Sequence, residues 1–195
     1  MRQISALGFE WQHVVAVLSR HNVKELWLFT ANLSHERVRG AVSELERVAK
    51  RMGVSSIHAV EVPTDDVWSC VEKAADAFTT SPIVLDLGGG VRSLSLCLFI
   101  AAVVASELSN VEIAAVYTSA EDKEAIVHVD MRPLKIVHAL KDSRSTTKRR
   151  VLLEGKVEGR YGERVLKELE EAGLIEGGKF TKAADAIRRY LTVGT

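Results

Sequence analysis

The stretch IVLDLGGGVRSLSLCLFIAAVVAS at residues 83–106 decides the fold. An apolar run closes on Asp86, three consecutive glycines follow, and Arg92 and Ser93 lead into a second apolar run. A short apolar run bounded by a glycine turn predicts a strand buried on both faces, and the longer run after it predicts a helix. The segment from Leu94 to Ala105 is shorter than the roughly 18 residues a bilayer span needs, so a core helix is expected and no membrane partner. Backbone N–H groups at a helix start lack partners, and glycines let an anion reach them without a Cβ in the way. A phosphate-bearing ligand is therefore expected at this turn, with a tight ligand-free strand-to-helix connection as the competing reading.

Outward from that turn, the hydrophobic pattern alternates between strand and helix periods through residue 130. Strands are expected at 4–8, 25–31, 56–62, 83–87 and 111–118, and a further one at 124–130 is close enough to pair antiparallel with the fifth. Helices are expected from Trp11, with Trp11, Val14, Val15 and Leu18 on one face, between residues 34 and 52, from Thr64, and over 91–108. In the second helix Val38, Ala41, Val42, Leu45, Val48, Ala49 and Met52 share one face, Asn32 or Ser34 supplies the cap, and Gly53 ends it. Asp65 and Asp66 suit the start of the third. The expected fold class is α/β: a Rossmann-like, mostly parallel sheet with helices on both faces, occupying residues 1–132. Ligands of such sheets lie beyond the carboxyl ends of the strands, which selects the loops 8–10, 30–34, 88–93 and 117–120.

Other phosphate loops fit poorly. No GK[ST] follows the glycines, which removes the lysine and the magnesium-binding hydroxyl of a P-loop. The pattern is not GxGxxG and follows the fourth strand, against a dinucleotide dehydrogenase. DLGGG is also similar to the phosphate loop of the actin and Hsp70 ATPases, whose two large lobes exceed 195 residues.

Lys and Arg balance Asp and Glu at 26 each, but they are unevenly distributed along the chain. Residues 1–132 carry a net charge of −5 and residues 133–195 carry +5, which suggests two units with two tasks. After Met131–Pro133, read as a hinge, helices are expected at 134–142, 145–155 and 159–173. A hairpin at 174–181 turning at Gly177 and Gly178 and a closing helix at 183–191 follow, the order of a small winged helix-turn-helix. Lys148, Arg149, Arg150, Lys156, Arg160, Arg164, Lys167 and Lys179 crowd its turn, third helix and wing, where DNA phosphates would be met. Glu158, Glu163, Glu168, Glu170 and Glu171 share the region, so a mixed-charge face for protein contact or dimerisation competes.

Cys70 and Cys97 belong to no CxxC pair and are expected to be separate buried thiols of a cytoplasmic protein. The opening residues lack a signal-peptide pattern. Six histidines show no metal-ligand spacing, and no metal or cofactor is expected; His35, near the expected cleft, is the one of interest. Trp11 and Phe9 fit either core packing or stacking on a base, and Asp86 is placed to accept loop N–H groups.

With LGFE at residues 7–10, DLGGGVRSLSL at 86–96 and a winged-helix pattern at the end, the chain resembles the CRISPR-associated Rossmann-fold (CARF) family, in particular its archaeal transcription-regulator type. The resemblance implies a homodimer that holds a cyclic oligoadenylate, with cyclic tetra-adenylate the expected ring, across its twofold axis. It implies ligand-binding roles for Gly8, Phe9, Glu10, Gly88, Gly89, Gly90, Arg92 and Ser93, and for Thr30, Ala31 and Asn32. It also implies double-stranded DNA as the partner of the winged helices. The chain departs from a D-x-T-G-G pattern of that family by placing Gly88 where the threonine stands. Some members are ring nucleases that orient a ribose 2′-OH for in-line attack on the adjacent phosphate; Arg92 and Ser93 are the nearest candidates for that role here. Three readings follow: a ligand-responsive DNA-binding regulator of CRISPR-associated genes, a ring nuclease, and a nucleotide-binding scaffold for a protein partner.

Overall fold

A computed structural model describes residues 1–80, 82–109, 111–118, 136–137, 140, 146–155 and 159–193. Strands β1 (Arg2–Ala6), β2 (Glu25–Thr30), β3 (Ser56–Glu61), β4 (Ile83–Asp86) and β5 (Ile113–Tyr117) form one sheet in the order β3-β2-β1-β4-β5, with every pairing parallel. Parallel neighbours need crossovers, supplied by α1 (Gln12–Leu18), α2 (Glu36–Arg51), α3 (Val67–Ala74) and α4 (Arg92–Ser109), with a 3-10 turn at Ala75–Phe78 after α3. The chain lays β1, β2 and β3 outward in one direction and then places β4 on the other flank of β1. The order therefore reverses between β1 and β4, where a crevice opens in sheets of this kind. This is the expected Rossmann-like α/β layer.

Alternation along the strands builds two cores. Ile4, Ala6 and Phe29 join the cluster formed with α3 and α4, whereas Leu26 and Leu28 join Val14, Leu18, Leu45 and Ala49 of α1 and α2. The first strand begins two residues before its expected start because Arg2 and Gln3, polar in sequence, are buried by specific bonds. Arg2 donates to Glu25 Oε2 at 2.7 Å and to the Ala77 carbonyl, and Gln3 Nε2 donates to Ser5 Oγ and the Val14 carbonyl.

Helix starts also differ in detail. His35, rather than Asn32 or Ser34, caps α2, its Nδ1 accepting the Arg37 N–H. Asn32 Oδ1 instead accepts from the N–H groups of Ser34 and His35, turning the chain into the helix. Gly53, at φ 86°, ends α2 as expected. Asp66 caps α3 by accepting from the Ser69 N–H at 3.0 Å.

Cys70 and Cys97, expected as separate thiols, form a disulfide that ties α3 to α4, with their Cα atoms 6.1 Å apart. The crossing of two helices brings together residues that no local spacing pairs. Helix α4, at 18 residues, is long and apolar enough to cross a membrane. Here Leu94, Leu98, Ala101 and Ala105 lie buried in the core beside α3.

Beyond the sheet lie α5 (Thr146–Glu154), α6 (Gly159–Glu171), the antiparallel pair β6 (Ile175–Glu176) and β7 (Lys179–Phe180), and α7 (Lys182–Val193). Gly177 and Gly178 both take positive φ, 56° and 75°, which a two-residue hairpin turn of the primed type requires. Helix α7 docks on α3 and α4, so one core runs from the sheet into this region. Tyr190 is fully buried and donates its hydroxyl to the Val71 carbonyl at 3.2 Å, while Ser109 Oγ donates to the Tyr190 carbonyl. At the rim Arg189 pairs with Asp76 and Lys182 with Asp66. The strand expected at 124–130, the hinge at 131–133 and most of the helix expected at 134–142 lie outside the described residues; Ile136, Val137 and Leu140 of the last are helical and buried.

Candidate functional site

The loops after β1, β2 and β4 converge at the point where the strand order reverses. They enclose a cleft of about 560 Å³ lined by residues 7–10, His13, residues 30–32, His35, Arg37, Val38 and residues 88–91. Nine of the residues expected at a ligand site, Gly8, Phe9, Glu10, Thr30, Ala31, Asn32, Gly88, Gly89 and Gly90, share this lining. Arg92 and Ser93 open α4 immediately past the loop and are not among the lining residues.

The glycines are needed first for the fold of the loops themselves. A Cβ on Gly8 would stand 2.9 Å from the Gly90 nitrogen, so the first and fourth loops touch backbone to backbone. A Cβ on Gly89 would collide with His13 Nε2 and lie 2.8 Å from the Ala6 carbonyl oxygen. Gly90 sits at φ 72°, a conformation unfavourable for residues with a Cβ. The Gly88 N–H donates to Asp86 Oδ1 at 3.0 Å and is thus turned toward the protein. The N–H groups of Gly89 and Gly90 find no acceptor among the described residues. Of the three loop amides, the one at Gly88 is thus engaged within the protein.

Asp86, almost fully buried, organises the floor. Its Oδ1 holds the Gly88 amide and its Oδ2 accepts from His13 Nδ1 at 2.9 Å. His13 Nε2 lies 3.1 Å from the Glu10 carbonyl oxygen. The imidazole thereby bridges the β1 loop and the β4 strand, a contact that the scattered histidine spacing did not reveal. Gly88 also acquires a local reason. A Cβ there would meet Asp86 Oδ1 at 3.1 Å and His13 Nδ1 at 3.4 Å, so glycine in place of the threonine of the D-x-T-G-G pattern leaves room for the His13–Asp86 pair.

On the opposite wall His35 and Arg37, from the start of α2, surround Phe9 of the β1 loop. The His35 ring centroid lies 4.8 Å from that of Phe9, and Arg37 Cζ lies 4.3 Å over the Phe9 ring. The sequence singled out His35 but not Arg37. An i, i+2 pair at a helix start carries no periodic signal, and its meeting with Phe9 is tertiary. Among the described residues no group of three His, Cys, Asp or Glu could hold a metal ion.

The basic residues of the C-terminal region are differently placed. Lys148 pairs with Glu168 at 2.7 Å, and its hydrogen bond is the main cause holding that carboxyl below its usual range. Arg149 Nε donates to the Leu140 carbonyl at 2.9 Å. Arg150 is exposed on α5, Arg164 pairs loosely with Glu168 at 3.3 Å and is 76% exposed, and Lys179 is exposed on the hairpin. Lys156 and the Arg160 side chain lie outside the described residues.

A parallel sheet in this order, with a glycine-lined cleft at its reversal point, defines a Rossmann-like α/β protein. The family described as the Csa3 CRISPR-associated Rossmann-like domain matches residues 1–130, and the chain belongs to that family. No curated protein matches the chain.

Proposed function

We propose that the protein senses cyclic oligoadenylate in the cytoplasm and regulates transcription of CRISPR-associated genes, as the archaeal regulators it resembles are expected to do. Residues 1–132 form the sensor and residues 133–195 a winged helix-turn-helix that contacts double-stranded DNA. Two copies pair so that their clefts share one ring. The observation that carries this reading is the cleft at the β1–β4 reversal in a CRISPR-associated Rossmann-like chain, lined by residues 8–10, 30–32 and 88–90. Its contacting loops offer to phosphate oxygens the amides of Gly89 and Gly90, which have no acceptor among the described residues. The hairpin at residues 175–180 and the exposed Arg150, Arg164 and Lys179 support the DNA half. In helix-turn-helix motifs a helix enters the groove while flanking elements meet the backbone, and exposed cations on these elements suit that use.

Calorimetric titration with cyclic tetra-adenylate and cyclic hexa-adenylate tests the sensor, with recovery of intact ring expected after long incubation. Absence of heat with both rings would overturn it, and linear products would replace the regulator by a ring nuclease. Binding to promoter DNA should weaken linearly in log K against log salt, with a slope near −0.9 for each phosphate neutralised. A flat response removes the DNA-binding half.

A further inference from the structure

The wall formed by Phe9, His35 and Arg37 has a chemistry of its own. Phe9 is large, apolar and 48% exposed, yet its ring is held by partners from a separate element. Stacking a guanidinium on an aromatic ring uses the flat face of the cation and leaves its in-plane N–H donors directed outward. Those of Arg37 find no acceptor among the described residues. Among the described residues lining the cleft Arg37 is the one Lys or Arg, and the lining carboxylate, Glu10, repels anions. His35 accepts the Arg37 N–H at Nδ1, so the neutral ring carries its proton on Nε2 and presents a second donor.

We propose that Arg37 is the side chain by which this cleft recognises phosphate, and that Phe9 is a positioning residue that holds the guanidinium flat. The inference rests on the ligand class proposed above but assigns recognition to a residue that the glycine-loop motif does not contain. It also gives Phe9 a different task from stacking on a base, since one face of its ring is already covered by Arg37. A planar fork engages two phosphate oxygens at once, which an ammonium on a flexible stem does not do.

The test titrates the full-length protein and the variants Arg37→Ala, Arg37→Lys and Phe9→Leu with two probes, cyclic tetra-adenylate and inorganic tripolyphosphate, at several salt concentrations. Arg37→Ala should weaken both probes at least about tenfold, in line with loss of a charge-assisted pair. It should also flatten the dependence of log K on log salt by about 0.7, the contribution of one phosphate on a single strand. Arg37→Lys should restore the salt slope but not the affinity, and Phe9→Leu should weaken binding with the slope unchanged. A purely structural role for Arg37 leaves the slope untouched. Ring binding with wild-type affinity and slope in Arg37→Ala overturns this inference while sparing the sensor reading. Arg37-dependent binding of tripolyphosphate without binding of the ring supports Arg37 and sinks the oligoadenylate; failure of the wild-type protein to bind either probe overturns both.

Discussion

Single atoms decide how the glycines act. Gly89 and Gly40 are both glycines in a folded chain, yet the same added methyl meets opposite surroundings. At Gly89 it collides with the His13 imidazole and the Ala6 carbonyl, and at Gly40, within α2, nothing lies within 4 Å. Gly89→Ala should cost about 1–3 kcal/mol through overpacking, whereas Gly40→Ala should stabilise by about 0.5–1 kcal/mol through helix propensity. Denaturant midpoints for the two variants check this, and a Gly89→Ala protein as stable as wild type would contradict the contact between the loop and His13. The need for glycine at residues 88–90 was legible in the sequence, as was the role of Asp86 as acceptor. The histidine that sets the tight space was not, because residue 13 reaches the fourth loop only after the sheet has formed.

At the scale of elements, the caps tie helices to their neighbours. Asp66 caps α3 and also binds Lys182 at the start of α7. Partial burial pushes its carboxyl upward, but the hydrogen bonds from Lys182 and the Ser69 N–H outweigh this and hold it below the ordinary aspartate range. A depressed folded value means that the folded state favours the charged form. The contribution is complete above the unfolded pKa of about 3.9 and fades as pH falls through the lower folded value. Asp66→Asn, which keeps a capping oxygen, should lower stability at neutral pH, where the charged form contributes, and change it less below about pH 4, so that the acid-induced loss shrinks. Thermal melts across that range decide the matter, and an unchanged acid profile in the variant would exclude Asp66 as its source. The sequence placed Asp66 at a helix start from its type and position. Lys182 lies 116 residues away, so nothing local announced the partner.

At the scale of the molecule, α4 links the two ends. Its first turn follows the glycine loop, Cys97 in its middle is bonded to α3, and Ser109 at its end holds the Tyr190 carbonyl of α7. Eighteen helical residues span about 27 Å, enough to reach from the cleft to the C-terminal region. The disulfide closes a loop across 27 residues, so the chain-entropy account gives it a stabilisation of roughly 3–4 kcal/mol. The double variant Cys70→Ala, Cys97→Ala should therefore unfold at clearly lower denaturant than the oxidised protein. Reduction of the wild type should move its midpoint in the same direction. Equal midpoints before and after reduction, with free thiols confirmed, would show that the bond does not constrain the chain.

The sequence by itself determined the alternation of strands and helices, the buried fourth strand, the glycine turn and the terminal hairpin. Each of these is written in local period or in residues with special backbone freedom. Tertiary structure decided the partners: His13 with Asp86, Arg37 with Phe9, Cys70 with Cys97, and Tyr190 with Val71. Such pairs join segments far apart along the chain, and their geometry exists once helices have crossed a sheet whose order reverses beside β1.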